Sequence, residues 1–533
     1  MGKENAGHVF VLMSLMMALW GCEASGKFGF DVHHVFSEPI QQMLGFDGLL
    51  PEKGSLDYFK VLAHRDRLIR GRGLISSSNN VQTPLTFIRG NRTLELDALG
   101  FLHYANVSVG TPATWFLVAL DTGSDLFWLP CNCGTTCINN LNDTRLTQRS
   151  QPLNLYSPNA SSTSSRVACG DARCFQEELC PSAGSTCPYQ IEYLSANTSS
   201  RGTLFQDVLH LVTEDENLKP VEANITLGCG QVQTGAFSRR AAVNGLFGLG
   251  LENYSVPSML AKAAITSNSF SMCFGNIVSI LGRISFGDKG HSDQLETPLL
   301  HVRPSPTYVV NVTGIEVGGN AINVQLFALV DSGTSFTQLL QPAYDAVTKA
   351  FNALVTDKRL PVDPSFPFEF CYELSPNATT IVFPAVDLTM LGGSALRLRN
   401  PLFVSEFQNG SAIYCLGIVK SVDFKINIIG QNFMSGYRVV FDRERMVLGW
   451  KESDCFGDEG LTTSPAPPPS ETAAPPPRVS VADMQPPTPS SSPRPPPPTN
   501  SSASSRTGSA SDRLSPLPSP LFLLLLLPVM AFL

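Results

Sequence analysis

The chain has little charge. Its 533 residues carry 37 Lys and Arg against 45 Asp and Glu, so only 15% are charged and the formal net charge is −8. A phosphate-binding surface needs a dense basic patch, and none is visible in the body of the sequence, which argues against nucleic acid as a partner. Long apolar runs are also missing. Val9–Trp20 and Leu521–Leu533 are both too short to span a bilayer, and the second has no charged flank behind it. The eight histidines show no His-Glu-x-x-His pattern, and there is no Gly-x-Ser-x-Gly elbow; zinc and serine hydrolase chemistry therefore have no support. No metal and no cofactor is expected. Helical periodicity is scarce too, the best segment being Pro342–Val355, opened by its proline.

What the chain does have is apolar material, 43% of its residues, enough for a large core and two or three domains. From Phe101 to Cys455 short β-branched and aromatic runs alternate with Gly, Asn, Ser and Pro clusters. That pattern predicts an all-β protein rich in hairpins, with strands near 107–110, 115–120, 208–212, 308–312 and 428–429. Lys3, the apolar stretch Val9–Trp20 and the small residues Ala24 and Ser25 read as a signal peptide over 1–24. Setting Cys22 aside with it leaves twelve of the 13 cysteines, an even number suited to an oxidising compartment. Their pairing stays open. Cys131, Cys133 and Cys137 are close enough for a metal site, but export and the lack of nearby His ligands favour disulfides. Asn106, Asn142, Asn159, Asn197, Asn224, Asn253, Asn311, Asn377 and Asn409 each open an Asn-x-Ser/Thr sequon and are glycosylation candidates.

The two ends differ from the middle. Residues 25–95 contain Tyr58–Arg72, where Lys60, Arg65, Arg67, Arg70 and Arg72 face only Asp66. One reading is a solvated helical face; the other is an inhibitory prosegment whose cations cover an acidic cleft. Its place between the signal and the first motif favours the prosegment. Residues 458–510 are rich in Pro, Ser, Thr and Ala and cannot bury a core, so they read as an extended stalk. The small residues Gly508, Ser509 and Ala510, a polar spacer and the terminal run Leu521–Leu533 match a glycosylphosphatidylinositol attachment signal, removed over 511–533.

One short pattern occurs twice. Phe116-Leu-Val-Ala-Leu-Asp121-Thr-Gly-Ser124 and Phe327-Ala-Leu-Val-Asp331-Ser-Gly-Thr334 each deliver an Asp from an apolar strand into a Gly turn followed by a hydroxyl residue. A single Asp-Thr-Gly is a turn. Two behind matching strands read as halves of one site, in which facing carboxylates hold a water. Two close carboxylates sharing one proton can hydrolyse a peptide: the ionised one takes the water's proton while the protonated one polarises the carbonyl. Like charges at that distance titrate in separate, coupled steps, which predicts activity at acid pH.

With these residues the chain resembles the pepsin-like aspartic endopeptidases, over roughly Leu99–Trp450. The resemblance implies a bilobal all-β fold, lobes 96–290 and 291–457, with the active site in the cleft between them. It implies Asp121 and Asp331 as the catalytic pair. Thr122 and Ser332 would tie the two loops together around Gly123 and Gly333, and Ser124 and Thr334 would orient the outer carboxylate oxygens. Asp125 reads as a surface acid. Trp128, seven residues after the first Asp, and the segments Asn244–Gly250, Ile426–Gly430, Tyr437–Asp442 and Leu448–Trp450 match in order. Tyr193 is the flap tyrosine candidate with Trp128 as its partner, although the flap turn lacks its usual glycines and carries the Asn197 sequon. The cysteine-rich stretch Cys131–Cys187 resembles the insertion of nepenthesin-like plant proteases, and no saposin-like insert fits between Asp331 and Gly430. The implied protein is a monomeric, secreted zymogen acting on protein or peptide substrates, held at the outer face of the plasma membrane by a lipid anchor. The rival reading is a catalytically inactive binding or inhibitor protein of the cell wall on the same fold.

Overall fold

A computed structural model describes most of residues 27–44, 50–70 and 101–455, apart from short segments of which 138–152 is the longest, together with 85–86, 93–94 and 478–480. The signal, the stalk apart from 478–480, the anchor candidates Gly508, Ser509 and Ala510, and the sequons at Asn142, Asn377 and Asn409 lie outside the described residues.

Strands dominate, as the alternation of β-branched runs with turn residues dictates. The predicted strands appear as His103–Val109, Thr114–Asp121, Thr198–Val212, Val309–Val317 and Asn427–Ile429, and the one strong helical pattern as Ala343–Leu354. In that helix Tyr344, Val347 and Phe351 are buried, one apolar face against the second lobe.

The first lobe is built on a sheet of 14 strands, and the second on one of eight with a further four-stranded sheet. The large sheet also runs across the molecule. Ser269–Phe274 pairs antiparallel with Tyr437–Asp442, and Leu295–Pro298 with Val447–Glu452, so the chain's last strands fasten the lobes together.

Residues 27–70 are part of this architecture. Phe28–His34 is a strand inserted between Leu281–Phe286 and His103–Tyr104. Leu56–Arg70 is a helix, and Tyr58, Phe59, Val61 and Leu62 along it are buried. They share one hydrophobic cluster with Leu102, Tyr104, Trp128 and Phe336 of the main body. Burial on this scale, at about 25 cal/mol per Å² of apolar surface, holds a segment firmly. Arg65 of the basic run is buried with this apolar side, while the side chains of Arg67 and Arg70 and all of Arg72 lie outside the described residues.

Six disulfides use all twelve cysteines: Cys131–Cys229, Cys133–Cys137, Cys169–Cys180, Cys174–Cys187, Cys273–Cys455 and Cys371–Cys415. The three-cysteine grouping at Cys169, Cys174 and Cys180 is two neighbouring disulfides, which leaves no thiolate for a metal.

Candidate active site

Each candidate Asp ends a buried strand. Thr114–Asp121 and Leu326–Val330 are apolar and nearly fully buried, so strand formation carries Asp121 and Asp331 to the middle of the molecule, 6% and 1% exposed. Behind each, a short parallel strand closes the loop. Leu246–Gly248 runs beside Ala119–Asp121, and Leu249 N–H donates to the Asp121 carbonyl at 2.9 Å. Asn427–Ile429 runs beside Ala328–Val330, and Asp331 N–H donates to the Ile429 carbonyl at 3.1 Å. The glycines there are a steric requirement: a Cβ on Gly248 would lie 2.1 Å from the Asp125 carbonyl oxygen, and one on Gly430 2.6 Å from the Phe336 backbone.

The loops mirror each other. Gly123 N–H donates to Asp121 Oδ1 at 3.0 Å, and Gly333 N–H to Asp331 Oδ1 at 2.9 Å. Thr122 Oγ1 and Ser332 Oγ meet at 3.3 Å, both buried, joining the loops between the two carboxylates. Thr334 Oγ1 donates to Asp331 Oδ2 at 2.5 Å. Ser124 departs from the expected role. Its hydroxyl is buried without a hydrogen-bond partner, because the first loop is held through backbone instead, the Ser124 carbonyl accepting Gly250 N–H at 2.8 Å. Asp125 is also a correction. Its Oδ1 accepts the Glu252 N–H at 2.8 Å beneath the loop, and desolvation pushes its carboxyl up to about 7, so it supports the loop as an inward-facing group.

Tyr193 ends the hairpin strand Pro188–Tyr193, paired with Thr198 across the turn. Trp128 Nε1–H donates to its hydroxyl at 2.9 Å, and Phe237 packs edge-on at 4.8 Å. Burial, with the negative charge of Asp121 among the lesser causes, holds the phenol well above its ordinary pKa, so it is a neutral donor at the cleft. Where the usual glycines are missing, Asn197 takes φ +56°, a left-handed conformation that Asn tolerates.

Of the sequons, Asn106, Asn159, Asn197, Asn224 and Asn253 are exposed. Asn311 is a correction: it sits in strand Val309–Val317, 8% exposed with a buried Oδ1, and the fold has no room there for an oligosaccharide.

The helix Leu56–Arg70 reaches this site. Arg65 Nη1 donates to the Gly333 carbonyl at 2.9 Å and to Asp66 Oδ1 at 2.8 Å. Asp66, expected only as the odd acid in a basic run, accepts from Ser335 N–H at 2.8 Å, Ser335 Oγ at 3.0 Å and Phe336 N–H at 3.2 Å. Both residues are buried. The side chains of Arg67 and Arg70 lie outside the described residues. Sequence reasoning missed Asp66 as an anchor, and it missed His34, His103 and Gln431 beside it. For His34 and His103 the signal was available only as polar residues beside apolar runs, and Asp66 stood out only as the acid among the cations of 60–72.

Two β lobes that each present an Asp on a glycine turn, bridged by hydroxyls and covered by a hairpin tyrosine, define the pepsin-like aspartic class. Residues 103–288 match the family described as xylanase inhibitor N-terminal, and residues 307–452 the one described as xylanase inhibitor C-terminal. Aspartyl protease family protein 1 of Arabidopsis thaliana is 54% identical over 460 residues, covering 86% of this chain and 87% of the relative. Aspartic proteinase nepenthesin-2 of Nepenthes gracilis is 26% identical over 405 residues, 72% of this chain and 82% of its own. Conglutin gamma, a basic 7S globulin from lupine seeds, superposes with a TM-score of 0.52 at 22% identity, covering 66% of this chain and 91% of that one, a likeness of fold alone. The chain belongs to the nepenthesin-like family of plant aspartic proteases.

Proposed function

We propose that this protein is an active aspartic endopeptidase that is made as a latent precursor, exported, and held at the cell surface by a lipid anchor. The observation that carries the catalytic part is the intact pair of loops: both Asp residues, both glycines and the Thr122–Ser332 bridge are in place. A water between the carboxylates is deprotonated by one while the other, protonated, polarises the scissile carbonyl. Thr334 fixes which oxygen of Asp331 faces outward, and Tyr193 closes over the substrate. Latency is supported by Arg65 and Asp66, which occupy the backbone of the second loop. Export and anchoring rest on the sequence at 1–24 and 508–533.

A binding protein on the same fold is the second reading, favoured by the names of the matching family models, xylanase inhibitor N-terminal and C-terminal. The purified chain lacking residues 511–533, processed at acid pH, discriminates the two. Cleavage of a peptide library with a reproducible preference is the expected result; a chain that binds its targets and cuts none of them refutes the protease.

A further inference from the structure

His34 and His103 face each other across the junction between precursor strand and main body. His34 ends strand Phe28–His34 and His103 begins His103–Val109; the two residues are paired neighbours. Their ring centroids are 5.4 Å apart, and each residue is 5% exposed. Burial is the main cause that keeps both rings neutral, and each ring accepts a hydrogen bond on one nitrogen. His34 Nδ1 receives the Phe36 N–H at 3.2 Å, and His103 Nε2 receives the Gln431 amide at 3.2 Å. A proton on either nitrogen removes that acceptor. His103 also bonds the Ser332 backbone of the second active-site loop, so the pair touches the precursor segment and the catalytic machinery together.

The groups around the pair are cationic. Lys53 and the Arg65 guanidinium both act on His34 and on His103, and the Lys53 ammonium is buried without a hydrogen-bond partner. Tyr58 from the helix stands 6.4 Å from the His34 ring, and Phe274 stands 4.8 Å from that of His103. The nearby acid, Asp66, is engaged by Arg65 and by Ser335 and Phe336. Among the described residues, the charges that act on the two histidines are those of Lys53 and Arg65, both positive.

We propose that the His34–His103 pair is the acid trigger of latency: protonation of either ring strips a hydrogen bond, sets a third positive charge beside Lys53 and Arg65, and drives the precursor segment off the cleft. This rests on the latent-precursor reading above.

The sign follows from linkage. Burial, reinforced by the neighbouring cations, holds His34 well below its ordinary 6.5 and His103 down at about 3 in the closed form. The closed form is therefore fully favoured above about pH 6.5. It loses ground as pH falls, by about tenfold per pH unit for each histidine. Lys53, lowered by burial to about 8, is already charged there and adds no slope. Asp66, raised by burial from 3.8 to about 6, works in the opposite sense between those values and cancels one of the two protons.

The test uses the full precursor carrying Asp121→Asn, so that it cannot cut itself. Amide exchange across 56–70, corrected for intrinsic rates, reports opening between pH 7.5 and 4.5. Opening rises on acidification, and His34→Gln or His103→Gln is about tenfold less open at pH 5.5 than its parent, each referenced to its own value at pH 7.5. His34→Lys, charged throughout, is open already at pH 7.5. Superimposable pH profiles in the parent and both Gln variants overturn the trigger, as does a His34→Lys chain that stays closed at pH 7.5. Latency is read separately: a labelled substrate peptide that binds the intact inactive chain at pH 7.5 as well as the processed one refutes the covering itself.

Discussion

Tyr193 shows how much at this site hangs on single atoms. Its hydroxyl is the acceptor for the buried Trp128 indole, so Tyr193→Phe leaves an N–H unpaired, at a cost of about 1–3 kcal/mol. The flap positions substrate and supplies no proton-transfer group, so kcat/KM is expected to fall about tenfold, equivalent to 1.4 kcal/mol, with folding retained. Steady-state kinetics alongside a thermal melt check this; unaltered kinetics would place the flap elsewhere. Trp128 was legible in the sequence because it lies seven residues after the first Asp, and Tyr193 through the resemblance of Ile191-Glu-Tyr193 to the family's flap. Ser124 and Asp125 were read wrongly. Whether a hydroxyl meets its carboxylate, or an acid beside a turn points inward, depends on the strand Leu246–Gly248 arriving more than a hundred residues later, and a local pattern does not contain that.

At the scale of elements, the helix Leu56–Arg70 is the part the sequence described least well. The reading of Tyr58–Arg72 as a basic segment looked to its cations, yet Asp66 makes three of the contacts with the second loop. Removing it leaves the Ser335 and Phe336 N–H groups without their carboxylate and takes the neighbouring negative charge from buried Arg65, a combination that strongly destabilises the closed state. Asp66→Ala is therefore expected to speed maturation at pH 5 at least as much as Arg65→Gln, followed as the appearance of the shortened chain on a gel. An unchanged rate in both variants would contradict the covering role. Helix Ala343–Leu354 and the strands were legible because their periodicity is written into consecutive residues. The insertion of Phe28–His34 into the main sheet was not, since nothing in those seven residues names Leu281–Phe286 as their partner.

Across the whole molecule, six disulfides tie the described residues together. Cys131–Cys229 closes a loop of 98 residues at the base of the first lobe. Replacing both cysteines by Ala is expected to lower stability by about 4–5 kcal/mol, as loop-closure entropy of that length implies, read as a shift in the urea midpoint. A shift near zero would mean that the unfolded chain is constrained otherwise. Among the described residues no helix is long and apolar enough to cross a membrane. If the tail is exchanged for a lipid, phosphatidylinositol-specific phospholipase C frees the enzyme from intact cells, and deleting 511–533 yields a soluble active protein. Recovery of the Leu521–Leu533 peptide from the mature protein would refute that exchange. The bilobal architecture was legible in outline from the duplicated motif; the pairing of the cysteines was not, because even eight allow 105 arrangements.

The central claim is that Asp121 and Asp331 act as one catalytic unit, and peptide hydrolysis at acid pH by the processed protein, its two single Asp→Asn variants and the double variant measures it most directly. Residues acting as a unit are not additive, so each single variant should lose nearly as much kcat as the double, on the order of 10³-fold or more, with melting behaviour close to the parent. Substantial cleavage by either single variant, once contaminating protease is excluded, would contradict the account.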